Sequence, residues 1–217
     1  MTIIYLHGFR SSPASIKSTA LGQRMRALGL GAALWCEQLP VAPREAIALI
    51  ETQIARCRRD GSGADPTLVG SSLGGYYATW LAERHGLKAV LVNPAVVAPS
   101  ALEDWIGPQT NLYTGETFDF TRAHVDALRA LDVGAITRPE RYWLLVETGD
   151  EVLDYRVAVA KYAGARQTVL EGGDHGFSRW TDYLDAVLEF AGLGRAADAP
   201  TQAPEEATVR ARAATKG

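Results

Sequence analysis

Thr67-Leu68-Val69-Gly70-Ser71-Ser72-Leu73-Gly74-Gly75 runs without a break into Tyr76-Tyr77-Ala78-Thr79-Trp80-Leu81-Ala82. The first three residues form an apolar, β-prone run and the last seven a helix-like one, so the glycine-framed serine between them sits at a strand-to-helix turn. The pentapeptide Gly70-Ser71-Ser72-Leu73-Gly74 matches G-x-S-x-G, the nucleophile-elbow pattern. In such a turn the flanking positions must be glycine, because a side chain there would collide with the neighbouring strand or helix. The serine hydroxyl is thereby pushed outward. Five residues alone are a weak signal, and their weight comes from the strand before, the helix after, and partners placed later in the chain.

Outward from the elbow, short apolar runs alternate with helical periods. Strands are predicted at residues 2–6, 31–36, 66–70, 88–93, 142–147 and 166–170, most of them apolar throughout, as strands covered on both faces should be. Between Pro43 and Gly61, Ile47, Ile50, Ile54 and Cys57 recur at helical spacing, giving a helix with a proline start and a glycine stop. Further helices are expected from Ser12-Pro13 to near Gly29, from the elbow to near Gly86, from Asp154 to near Gly164, and from Ser178 through Val187 to Gly192. Alternating strands and crossover helices define an α/β class with a six-stranded, mainly parallel sheet.

One connection is too long for a single crossover. Between the strands at 88–93 and 142–147, about residues 94–141 form an insertion read as a small lid. It holds Trp105, Tyr113, Phe118 and Phe120 and an amphipathic period at Val125, Leu128 and Leu131. The three aromatics Trp105, Tyr113 and Phe120 are candidates for an apolar acyl site or for the insertion's own core. Residues 1–194 are expected to form a single domain, and residues 195–217, nearly devoid of large apolar side chains, a disordered tail.

Composition narrows the partners. The chain has 217 residues, 47% hydrophobic and 22% charged, with a formal net charge of -3, which gives no electrostatic reason for a nucleic-acid or anionic-membrane partner. The two cysteines, Cys36 and Cys57, have no metal-like spacing and no disulfide framework. The amino-terminal residues lack a basic leader and reach Gly8 before a membrane span could form, so a cytoplasmic location is expected.

A serine hydroxyl needs a base, and the base needs a carboxylate to hold its tautomer and stabilise its charged form. In α/β hydrolases both follow the nucleophile, acid before histidine, on loops after later strands. Asp150 follows the run Tyr142 to Glu147, and His175 follows the strand at 166–170 in Glu171-Gly172-Gly173-Asp174-His175-Gly176, a glycine-rich loop. Asp154 and Asp174 compete with Asp150 for the acid role, although Asp154 is explained as a helix N-cap and Asp174 as a loop-shaping residue. His85 suits a helix C-terminus, and His124 lies in the insertion. His7, after the first strand, shapes a turn. That turn, His7-Gly8-Phe9, is placed to supply the Phe9 N–H as one donor of an oxyanion hole, with the Leu73 N–H as the other.

The segments His7-Gly8-Phe9, Gly70 to Gly75, Val92-Asn93-Pro94-Ala95, Thr148 to Tyr155 and Gly173-Asp174-His175 together resemble the YqiA-like esterases, over about residues 1–192. The resemblance implies a compact α/β-hydrolase fold with strand order 2-1-3-4-5-6. It implies cleavage of carboxylic esters or acyl thioesters by Ser72, Asp150 and His175, with no metal or cofactor. The expected partner is a small-molecule acyl ester or thioester. The competing expectation is an idle hydrolase-fold protein that binds a ligand or partner.

Overall fold

The computed structural model describes residues 1–59, 64–97, 100 and 102–194. Six strands form one sheet: β1 (Ile3–Leu6), β2 (Leu34–Trp35), β3 (Thr67–Ser71), β4 (Lys88–Val92), β7 (Tyr142–Glu147) and β8 (Arg166–Leu170). Their spatial order is β2-β1-β3-β4-β7-β8, and every neighbouring pair is parallel. This is the expected order 2-1-3-4-5-6 with two extra strands counted between the fourth and fifth. The chain reverses its winding beside β1 and β3, the place where the carboxyl ends of open parallel sheets leave a crevice.

Strand alternation divides the core in two. Ile3, Tyr5, Val69, Val90, Trp143 and Leu145 face α1 (Ile16–Ala27) and α6 (Leu184–Phe190), which contribute Leu21, Met25, Val187 and Leu188. Ile4, Leu6, Leu68, Leu91, Leu144 and Val146 face the other way, against α2 (Pro43–Arg59), α3 (Leu73–His85) and α5 (Tyr155–Lys161). Helix α2 buries Ile47, Ile50, Ile54 and Cys57, the four residues whose spacing predicts it. Its expected stop at Gly61 lies outside the described residues, as do residues 195–217.

Several boundaries differ from expectation. The second strand keeps only Leu34–Trp35 because Gly31–Ala33 turn into a 3-10 helix. Helix α1 begins at Ile16, later than Ser12, because Ser12 closes a turn by accepting the Ser15 N–H on its carbonyl and the Ala14 N–H on its hydroxyl. The last helix begins as a 3-10 turn, Trp180–Tyr183. The long connection carries an antiparallel hairpin, β5 (Gly107–Thr110) and β6 (Thr117–Phe120), that the sequence analysis does not anticipate, followed by α4 (Arg122–Arg129). The apolar period is placed in the main core rather than in a separate one: Val125, Leu128, Leu131 and Phe120 are all buried there.

The elbow is held by close backbone contacts. A Cβ on Gly74 would lie 2.0 Å from the Leu6 carbonyl oxygen, and one on Gly70 would lie 2.3 Å from the Gly74 carbonyl oxygen. Both obstacles are backbone and cannot rotate away. Gly74→Ala is expected to lower stability by more than about 3 kcal/mol or to prevent folding, measurable as the midpoint of urea unfolding.

Candidate active site

Ser72 is the residue between β3 and α3, with φ 54° and ψ -122°. A non-glycine residue there stores roughly 1–3 kcal/mol of strain, maintained only when its surroundings over-determine it. They do: the Ser72 N–H donates to the Val92 carbonyl at 3.1 Å, and the Ser72 carbonyl accepts from Gly75 and Ala95 at 2.9 and 3.0 Å.

His175 faces Ser72 from the loop after β8, its Nε2 3.1 Å from Ser72 Oγ. Its Nδ1 lies 2.8 and 3.0 Å from the two oxygens of Asp150, in the loop after β7. A carboxylate only accepts, so Nδ1 carries the proton and Nε2 presents its lone pair to the hydroxyl. Asp150 Oδ1 also accepts the N–H groups of Val152 and Leu153 at 2.9 and 2.8 Å. Burial pushes the Asp150 carboxyl up, but the bonds from His175 and from these two amides outweigh it and hold the group below its ordinary value.

The competing aspartates have other duties. Asp154 caps α5 by accepting the Arg156 N–H, and the Asp174 backbone serves the loop. His124 completes a capping box with Thr121. His85 ends α3 and pairs with Glu51 at 2.9 Å, a carboxylate partner beyond the expected helix-end role. His7 is buried. Its Nε2 accepts the Leu39 N–H at 3.0 Å and its Nδ1 lies 3.0 Å from the Gly8 carbonyl, which defines the neutral tautomer with the proton on Nδ1. Burial lowers its pKa, partly offset by the Gly8 contact.

The loop that presents His175 rests on groups the sequence analysis does not single out. Glu147, the last residue of β7, is fully buried. Its carboxylate accepts the Asp174 and Ser178 N–H groups at 2.9 and 3.2 Å and the Arg179 guanidinium at 2.8 Å. Burial raises its pKa, but the Asp174 amide and Arg179 outweigh this and the net shift is downward. Asn93, at φ 40°, donates to the Asp174 and His175 carbonyls at 2.9 and 3.2 Å and accepts the Glu147 N–H at 3.1 Å. The exposed Glu151 accepts the His175 N–H at 3.0 Å. The available signal is a charge closing the apolar run Tyr142 to Val146, but its partner Arg179 is 32 residues away.

Asp150 and Glu147 stabilise the fold fully above their ordinary pKa values of 3.8 and 4.5, and that contribution is lost as pH falls through their lower folded values. Glu147→Gln is expected to lower stability at neutral pH by about 2 kcal/mol and to flatten the acid limb, read as urea midpoints between pH 6 and 3.

Gly8 and Phe9 lie against the nucleophile: a Cβ on Gly8 would be 3.1 Å from Ser72 Cβ. Neither the Phe9 N–H nor the Leu73 N–H donates to a protein acceptor among the described residues. The hairpin straps this loop. Leu112 N–H donates to the Arg10 carbonyl at 2.8 Å, Arg10 Nε to the Thr110 carbonyl at 2.9 Å, and Asn111 Nδ2 to the Ser11 carbonyl at 2.8 Å. The Phe9 ring meets Trp105, Phe118 and Phe120 edge-on at centroid distances of 6.1, 5.9 and 4.9 Å.

Two clefts meet at Gly8 and Phe9. One, about 550 Å³, has an apolar wall of Leu39, Pro40, Val41, Leu73, Tyr77 and Phe118. The other, about 510 Å³, is bounded by Ser72, His175, Tyr113 and the first turn of α1. Among the expected aromatics of the insertion, Tyr113 thus borders the site, Phe120 is core, and Trp105 meets Phe9 edge-on. Among the described residues there is no cluster of three potential metal ligands and no helix long and apolar enough to cross a membrane.

The sheet order, the elbow after the third strand and the site at the carboxyl edge define an α/β-hydrolase fold. Solved structures agree. A protein from Agrobacterium vitis S4, classed provisionally as a hydrolase, superposes with TM-score 0.70 at 20% identity, over 88% of this chain and 87% of that one. For mouse alpha/beta hydrolase domain-containing protein 10 the values are 0.60 and 18%, over 87% and 89%. For a monoacylglycerol lipase from Paleococcus ferrophilus they are 0.60 and 17%, over 88% and 94%. At family level, the model of the Uncharacterised protein family UPF0227 matches residues 2–192, and the chain belongs to this YqiA-like family.

Proposed function

We propose that the protein is a serine hydrolase that cleaves carboxylic esters, and by the same machinery acyl thioesters, through an acyl-enzyme intermediate. The observation that carries the proposal is the continuous hydrogen-bonded chain from Asp150 through His175 to Ser72. His175 Nε2 takes the hydroxyl proton as Ser72 Oγ bonds to the acyl carbon, and Asp150 stabilises the imidazolium. The negative oxygen of the tetrahedral intermediate is received by the Phe9 and Leu73 N–H groups, the latter at the positive end of α3. The intermediate collapses by breaking the bond to the leaving oxygen or sulfur, which takes the Nε2 proton. Water, deprotonated by His175, then releases the acid and restores Ser72.

Lipase and hydrolase neighbours lend support at the level of fold. Arg10, the cation next to the Phe9 turn, donates its Nε to the Thr110 carbonyl and sets its guanidinium over the Trp105 ring at 5.3 Å, so the hairpin holds it, and carboxylic esters are taken as the leading substrate class. A fluorophosphonate at neutral pH is expected to form a single adduct on Ser72, located by peptide mass spectrometry. Folded protein that stays unlabelled would leave an idle binding protein as the better description.

A further inference from the structure

The apolar wall of the cleft of about 550 Å³ contains one polar group with nothing to bond. Tyr77 stands four residues after Leu73 on α3, so the two side chains share a helix face, and both border this cleft. Tyr77 is 3% exposed and packs in the main core. Its hydroxyl makes no hydrogen bond among the described residues. The other core tyrosines on this side are engaged: Tyr76 donates to the Leu128 carbonyl at 2.9 Å, and Tyr162 meets the Thr79 hydroxyl at 2.7 Å. Among the described residues, Tyr5 Oη is the one buried side-chain polar atom that is both sealed from solvent and unpartnered. The unpartnered Tyr77 Oη is therefore not sealed, and the small surface that Tyr77 keeps opens onto the cleft it borders.

The remaining buried polar residues of the same wall are spent. His7 accepts the Leu39 N–H, and Asn111 donates to the Ser11 carbonyl while its oxygen accepts the Tyr113 and Thr114 N–H groups. Gln38, Glu116 and Thr117 also border the cleft but are exposed to water. Burial, with a smaller contribution from Tyr76, pushes the Tyr77 pKa up, so the phenol stays protonated and able to donate. On the serine-hydrolase proposal the substrate carbonyl oxygen lies at the Phe9 and Leu73 amides, and both residues border this cleft. His175, which must protonate the departing atom, borders the other. The acyl chain therefore runs towards Tyr77 and the departing group towards His175. A plain alkyl chain there would strip water from the phenol and leave it unpaired, whereas an oxygen on the chain would pair it.

We infer that Tyr77 is a specificity-determining residue and that its hydroxyl selects acyl groups carrying a carbonyl or hydroxyl oxygen along the chain over alkyl chains of the same shape. The inference rests on the serine-hydrolase proposal, which sets the direction of the acyl chain. It narrows the substrate class to esters of oxo- and hydroxy-acids.

The test uses the 4-nitrophenyl esters of 4-oxopentanoate, 5-oxohexanoate and 6-oxoheptanoate, which scan the position of the oxygen. Each is compared with the analogue in which a methylidene group replaces the ketone, every kcat/KM being divided by the rate of hydroxide-catalysed hydrolysis. The wild type is expected to favour the oxo ester by about fivefold at one position or more, the size of a neutral hydrogen bond. Tyr77→Phe keeps the ring in the core and removes only the oxygen, and it should bring that ratio to about one. Ratios near one at every position in the wild type would overturn the inference and leave the serine hydrolase in place. A preference that survives Tyr77→Phe, or a Tyr77→Phe loss shared equally by both ester classes, would do the same. A Tyr77-dependent preference confined to 4-oxopentyl acetate over 4-methylidenepentyl acetate would also overturn it, because the cleft would then hold the alcohol. Calorimetric binding of the methyl oxo esters to the Ser72→Ala protein, with and without Tyr77→Phe, reads the contact without turnover. Tyr77-dependent binding by a protein that hydrolyses no ester would retain the polar cleft and reject the hydrolase.

Discussion

Replacing Ser72 with alanine is expected to reduce kcat for aryl-ester hydrolysis by roughly 10⁵- to 10⁶-fold, and adding His175→Ala to reduce it hardly further. The non-additivity follows from the geometry. The imidazole Nε2 is 3.1 Å from the hydroxyl, so on the proposed mechanism each group acts only while the other is present. On the proposed mechanism the residual rate over solution comes from the Phe9 and Leu73 amides, which still receive the developing oxyanion when a water molecule attacks directly. Single-turnover measurements on the two single variants and the double variant decide the matter. A Ser72→Ala protein retaining a tenth of the activity, or two single losses that multiply in the double variant, would remove Ser72 and His175 from a common step.

The second large effect is expected at Asp150. Asp150→Asn should lower kcat by roughly 10⁴-fold while leaving the fold intact. Asp150 Oδ1 accepts the Val152 and Leu153 N–H groups, so the substituted amide must keep its oxygen there. Its NH₂ then occupies the place of Oδ2, 2.8 Å from His175 Nδ1. At this nearer contact donor meets donor, and the oxygen left at 3.0 Å is already shared with two amides, so the ring is driven to carry its proton on Nε2, and in that tautomer the imidazole offers Ser72 a proton instead of accepting one. Activity should recover at high pH, where hydroxide replaces the missing base. A loss below tenfold at neutral pH would show that the acid lies elsewhere.

The parts of this architecture that were readable from sequence are those determined by local physics. Helix α2 was legible because Ile47, Ile50, Ile54 and Cys57 repeat at the helical period and are all buried. The elbow was legible because its glycines are required by backbone contacts of the kind that give the motif its form. The position of Asp150 followed from the buried strand β7 that ends just before it, and that of His175 from the glycine-rich loop after β8, whose own residues are exposed or half-buried; the geometry brings both to Ser72. Their catalytic roles remain proposals that the substitutions above test.

What escaped was non-local. In the hairpin, the β5 run Gly107-Pro108-Gln109-Thr110 has no apolar stripe, and β6 carries Phe118 and Phe120 against a loop at the other end of the chain. Glu147 reads as a strand terminus until folding brings Arg179, Asp174 and Ser178 around it. Asn93 reads as one residue of a family-like segment, yet its amide joins the end of β4, the end of β7 and the His175 loop. Such residues obey no period and no motif.

The straps between the hairpin and residues 9–11 bear on how the protein can be re-engineered. A detachable cover could be exchanged for a longer or shorter one to change acyl preference at no cost to turnover. Here the cover shares three hydrogen bonds and a four-ring aromatic cluster with the loop that carries the Phe9 amide. On the proposed mechanism, grafting a foreign hairpin would therefore displace an oxyanion donor along with the roof. Selectivity and rate would then be mechanically linked, and directed evolution of one should recover compensating changes at Arg10, Ser11 or Asn111 before it improves both.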